Sequence, residues 1–91
     1  MAIQIHSEPP PEPEEVAARV RDAIAEAMPE AEVRVDAVSP GHFEIEVVSD
    51  AFQGLSRVKQ QQKVYAAIAH LMAGDTAPVH AVDRMVTRTA S

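Results

Sequence analysis

The chain has no cysteine and no tryptophan, and only three aromatic residues, Phe43, Phe52 and Tyr65, among its 91. The missing cysteines exclude disulfides, thiol catalysis and any all-thiolate metal site built by this chain alone. A metal held here needs His, Asp or Glu, or ligands from a second molecule. With so few aromatics, the core must come from Val, Ile, Leu, Met and Ala. No run of about 18 apolar residues occurs, and no basic segment followed by an apolar one opens the chain, so neither a membrane span nor a secretory signal is expected. The expectation is a soluble, cytoplasmic protein. Basic residues are also scarce, 8 Lys and Arg against 14 Asp and Glu, for a net charge of −6. The imbalance is uneven: residues 1–50 hold 3 basic and 12 acidic side chains, residues 51–91 hold 5 and 2. A protein that neutralises phosphates usually shows a concentrated basic patch, so free polyanion binding is disfavoured by the total.

What is present suits one domain with one modest core. Residues 1–13 form an acidic lead-in with a Pro9-Pro10-Pro11 run, expected to be extended or disordered, with His6 solvated. Residues 14–89 are the expected domain and residues 90–91 a tail. Val16, Val20, Ala23, Ile24, Ala27 and Met28 recur at helical spacing, Glu14 and Glu15 suit the positive end of the helix dipole, and Pro29 stops the run, which predicts a helix over Pro13–Ala27. Glu32–Val38 and Phe43–Val47 alternate polar and apolar residues around Ser39-Pro40-Gly41-His42, an antiparallel hairpin.

Ser49–Ser56 is a connection with Phe52 and Leu55 as buried candidates, and Ser56 is a credible N-cap for a second helix over Arg57–Met72. Its expected apolar stripe is Val58, Val64, Tyr65, Ile68, Leu71 and Met72, while Arg57, Lys59 and Lys63 make its first half basic and His70 faces solvent. Gly74-Asp75-Thr76 ends it. Val79–Thr89 reads as a final strand, with Val79, Ala81, Asp83, Met85 and Thr87 on the more buried face and His80 on the other. A strand–helix–strand crossover places its two strands parallel. The predicted fold class is therefore α+β: a small α-β-β-α-β domain with a three-stranded mixed sheet and both helices on one face.

The run Val48-Ser49-Asp50-Ala51-Phe52-Gln53-Gly54-Leu55-Ser56-Arg57-Val58-Lys59-Gln60-Gln61-Gln62-Lys63-Val64-Tyr65, followed by Val79-His80-Ala81-Val82, resembles the BolA family, and its wording is most similar to the IbaG-like branch. The likeness covers roughly Glu14 to Thr89. It implies a fold like the class II KH domain and a partnership with a monothiol glutaredoxin, in which the two proteins and glutathione jointly hold a [2Fe–2S] cluster for trafficking or for iron and redox sensing. It makes His80, in the His-Ala-hydrophobic motif, a metal ligand. It also makes His42 a second candidate, since some relatives supply a Cys or His ligand from the hairpin loop and His42 is the only such side chain there. Relatives usually continue past the last strand with a Thr-Pro motif and a tryptophan near the expected partner surface, where this chain reads Thr87-Arg88-Thr89-Ala90-Ser91. Histidine ligation of such clusters raises their potential, and imidazole binds metal when neutral, so acidification is expected to weaken the site.

Two other functions compete. KH-like folds bind nucleic acid, and Arg57, Lys59 and Lys63 would then make phosphate contacts, as in a transcriptional regulator. A hydrolase or transferase would pair His80 with Asp83 or Asp75, but no nucleophile elbow, phosphate loop or spaced carboxylate pair is present, so no enzymatic activity is expected. A homodimer is left open as a further partnership.

Overall fold

The computed structural model describes residues 11–90. Most of the expected lead-in, with His6, and the last tail residue lie outside these. Two helices, three strands and a short 3-10 turn follow in the order α1 (Pro13–Ala27), β1 (Glu32–Ser39), β2 (His42–Val48), the 3-10 turn Asp50–Phe52, α2 (Arg57–Met72) and β3 (Ala81–Arg88). The sheet order is β1-β2-β3, with β1 antiparallel and β3 parallel to β2. This is the expected mixed sheet.

Alternation in the hairpin decides which face the helices cover. Val35, Phe43, Ile45 and Val47 are buried, joined by Val16, Val20 and Ile24 of α1 and by Val64 and Ile68 of α2 in one core. Residues between them on β1 and β2, such as Arg34, Asp36, Glu44 and Glu46, therefore look out from the opposite face. Phe43 and Phe52 are the largest fully buried side chains. Burying each stabilises by about 1.5–3 kcal/mol, which gives two of the three aromatics a role in folding.

Three expectations need correction. Val58 and Tyr65 are 63% and 39% exposed, not core. A 3.6-residue stripe marks a broad face, and α2 buries only its centre, Val64, Ile68 and Leu71, leaving its flank to solvent. The last strand begins at Ala81, not Val79. Pro78 has no N–H to offer, and the Val79 N–H donates to the carbonyl of Leu71 at 3.1 Å, which ties this residue to the end of α2 instead of the sheet.

The face assignment of β3 also changes part-way along. Phe43 pairs with Val82 and Glu44 with Arg84, so Asp83 is an extra, unpaired residue at a bulge. The bulge puts Val82, as well as Met85 and Thr87, toward the helices and leaves Asp83 exposed.

At the far end of the sheet from the hairpin turn, polar side chains lock the loops. Ser49, 1% exposed, donates to the Glu30 carboxylate through Oγ, and the same oxygen accepts from the Ala51 N–H at 3.0 Å. The hydrogen bond from Ser49 holds the Glu30 carboxyl below its ordinary pKa, helped by backbone N–H groups. Thr87 Oγ1 donates to Gln60 Oε1 at 2.8 Å, and Gln60 Nε2 donates to the Leu55 carbonyl at 3.0 Å, which stitches β3 to the start of α2. Ser56 caps α2 by accepting from the Lys59 N–H at 3.3 Å.

Candidate functional site

The Pro40–Gly41 turn joins β1 to β2, with Ser39 paired to His42. Proline presets the first turn dihedral, and Gly41 has φ +82°, which side chains other than glycine's rarely tolerate. The carbonyl of this same glycine accepts from the N–H of His80 at 2.8 Å and of Ala81 at 3.0 Å. The hairpin turn thus fixes the backbone at which β3 starts.

Gly41 also makes room for the His80 ring. A β-carbon at position 41 would stand 2.6 Å from His80 Nδ1 and 2.8 Å from its Cγ. No real contact is that short, so the imidazole occupies a cradle that only glycine leaves open. The Nδ1 corner of the ring faces the space that a side chain at position 41 would fill, and Nε2 is the nitrogen farther from that space. His80 is exposed and lines a cleft shared with Pro13 and Val16 at the start of α1.

His42 is its neighbour through the backbone, since it pairs with Ala81. Its ring has other surroundings. Lying one residue before the buried Phe43, it is directed to the open face of the sheet, where Nδ1 meets Asp83 Oδ1 at 3.0 Å. A carboxylate only accepts, so Nδ1 carries the proton and Nε2 is left for another partner. Asp83, considered from the sequence as a carboxylate for His80, engages His42 instead. His42 is not part of the wall of the cleft that His80 lines. Among the described residues, no three His, Cys, Asp or Glu side chains converge on a point that could hold a metal ion.

Arg57, Lys59 and Lys63 are all exposed on α2. They belong to the end of the molecule where Ser49 and Thr87 are buried, since Arg57 lines a shallow groove with Thr87. The hairpin-turn end and the basic helix start are separate surfaces. The sequence reading missed Gly41 as the seat of His80 and Asp83 as the partner of His42. Both contacts span about forty positions and depend on a parallel register and a bulge that no local pattern announces.

The family model described as BolA-like protein matches residues 18–91. The chain belongs to the BolA family. A curated relative, "BolA-like protein 1" of Pongo abelii, is 45% identical over 49 residues, which span 50% of this chain and 34% of that protein. Among solved BolA structures, the BolA domain of SufE1 from Arabidopsis thaliana is 28% identical with a TM-score of 0.71, over 82% of this chain and 92% of that one. Yeast Fra2 is 26% identical with a TM-score of 0.62, over 89% and 82%. The α+β fold with its three-stranded mixed sheet is the BolA fold. Among the described residues, no helix is long and apolar enough to cross a membrane.

Proposed function

We propose that this BolA-family chain is an adaptor that binds a monothiol glutaredoxin and contributes histidine to a shared [2Fe–2S] cluster, for cluster trafficking or for iron and redox sensing. The observation that carries this reading is the exposed His80 imidazole seated on Gly41, a cradle a single β-carbon would fill. The donor set is consistent with it. With no cysteine in the chain, the thiolates would come from glutaredoxin and glutathione, and this protein would supply neutral imidazole nitrogen.

Within that reading His80 is the ligand, and Gly41 positions it through two backbone hydrogen bonds and the open cradle. His42 is the second candidate, with Nε2 as its donor and Asp83 setting its tautomer, as carboxylates commonly do for metal-binding imidazoles. Iron bound there would lend the pair a redox-sensitive, acid-labile centre. No step of the proposed role requires this chain to turn over a substrate.

The test is spectroscopic. The chain mixed with a monothiol glutaredoxin, glutathione, iron and sulfide should give a visible absorption and circular dichroism spectrum distinct from that of glutaredoxin alone. His80→Ala should return the spectrum to the glutaredoxin-only form while leaving the fold intact. An unchanged spectrum in His80→Ala would remove the ligand assignment. His42→Ala and Asp83→Asn, measured the same way, decide whether the second imidazole takes part. The alternative, a nucleic-acid-binding regulator acting through Arg57, Lys59 and Lys63, predicts affinity for nucleic acid that falls steeply with salt. Binding with no salt dependence, or none at all, would dispose of it.

A further inference from the structure

The sheet has two edges, and they are finished differently. On β3, Gln61 Nε2 donates to the Met85 carbonyl at 3.4 Å, and the bulge at Asp83 interrupts the strand. Covered or bulged edges resist further pairing. β1 is the other edge. Among the described residues it pairs with β2 alone, in unbroken register from Glu32 to Ala37. An edge of that kind offers its outward N–H and C=O groups to one more strand.

The side chains of β1 select which strand that is. Val35 is buried and Val33 and Ala37 pack partly buried against the core, whereas Arg34 and Asp36 lie on the open face with their side chains 73% and 55% exposed. These two charges pair with each other along the strand at 3.3 Å. Across the sheet their situations are unequal. Arg34 is opposite Glu46, but Asp36 is opposite Glu44, and like charges directly opposite each other destabilise a sheet. Among the described residues, no strand on the outer side of Asp36 supplies a cation to offset this.

A second β1, laid antiparallel about a twofold axis at Val35, supplies it. Arg34 then faces Asp36 of the second copy and Asp36 faces its Arg34, while Val33 and Ala37 face each other on the helix side. Other registers are poorer. An axis at Arg34 or at Asp36 sets that residue against its own like charge, and an axis at Val33 engages only the first turn of pairing at the start of the strand. An axis between two residues sets side chains of opposite faces against each other.

We propose that the β1 edge is where two copies of this chain join, as an antiparallel β1–β1 pair with Val35 on the twofold axis and one continuous sheet of three strands from each copy. Such an interface uses the same patch twice and closes on itself. The row Asp36–Glu44–Arg84 then gains an arginine at its outer end, so both of its carboxylates have a cation beside them. His80 precedes β3 at the far edge of the sheet and stays exposed in the dimer, so the inference is independent of the cluster-binding reading.

The experiment compares the full chain with Arg34→Asp and with Asp36→Arg by sedimentation velocity, from micromolar to millimolar concentration, at low and at high salt. The parent should form dimers. Each variant alone sets like charges against each other on both sides of the axis and should dimerise about tenfold more weakly at low salt, the gap narrowing as salt rises. Mixed in equal amounts, the two variants should recover dimers of near-parent affinity, because every acidic position again faces a basic one. Mixing does not repair a fold defect, and the amide spectrum of each variant reports whether it is folded. In the unaltered chain, amide hydrogen exchange over residues 33–37 should slow as concentration rises, a reading that decides alone if a variant is unfolded. A parent that stays monomeric at millimolar concentration, dimers indifferent to both substitutions, or folded variants that do not recover on mixing would overturn the assignment.

Discussion

The two ends of this small sheet hold their loops by different means. At one end, side chains do the holding: Ser49 bridges Glu30 and Ala51, and Gln60 joins Thr87 to Leu55. At the other, the main contacts are backbone ones, with one carbonyl, that of Gly41, receiving two N–H groups from the start of β3, and one side-chain pair, His42 with Asp83, beside them. The first arrangement consumes its polar side chains. The second leaves an imidazole exposed and already placed, which is what a ligand shared with another protein requires. Under the proposed function, one end would serve stability and the other presentation of the imidazole.

Substitutions can break this division. The largest effect should follow from Gly41→Ala, which forces a side chain into a positive-φ position and drives a β-carbon into the His80 ring. It should cost about 1–3 kcal/mol of stability and also displace the imidazole. Denaturant unfolding reads the first, and the ring resonances of His80, compared with those of the parent, read the second. If the ring signals were unmoved, Gly41 would serve the turn alone and the cradle would have no bearing on His80.

Ser49→Ala should lower stability by about 1–2 kcal/mol, because the buried Ser49 hydroxyl no longer accepts from the Ala51 N–H or donates to Glu30. It should leave the His80 resonances and the cluster spectrum unchanged. A spectral change there would show that the two ends are coupled, against the division drawn above.

The smallest effect concerns pH. Glu30 titrates below its ordinary value when folded, chiefly through the hydrogen bond from Ser49, so the unfolded chain binds its proton more readily. Its contribution is fully present above the unfolded carboxylate pKa and fades as pH falls through the lower, folded one. Glu30→Gln should therefore melt at a lower temperature than the parent near neutrality, and the two melting temperatures should converge under acid conditions. In a Ser49→Ala background the pH-dependent part of this difference should shrink, since the main cause of the depressed pKa is gone.

Much of the fold was legible from spacing. Alternation over Glu32–Val38 and Phe43–Val47, the proline-bounded helix over Pro13–Ala27 and the Ser56 cap placed four of the elements within a residue or so of where they lie. Periodicity failed where burial is graded or register shifts. It could not separate Tyr65 on the flank of α2 from Ile68 at its centre, nor see that an extra residue at Asp83 would turn Val82 inward. Of the candidate site, His80 was legible through the motif around it, and His42 as the hairpin's one histidine. Their surroundings were not.

By itself, then, the sequence determined the order of helices and strands, the absence of any thiolate from this chain and the confinement of metal-ligating nitrogen to a few histidines. These follow from composition and local spacing. Only the tertiary structure decided that His80 rests on Gly41 while His42 turns to Asp83, and that four prolines from three segments wall one cleft. The reason is physical: a parallel strand pair takes its register from core packing and a bulge, and the contacts that register creates join residues about forty positions apart.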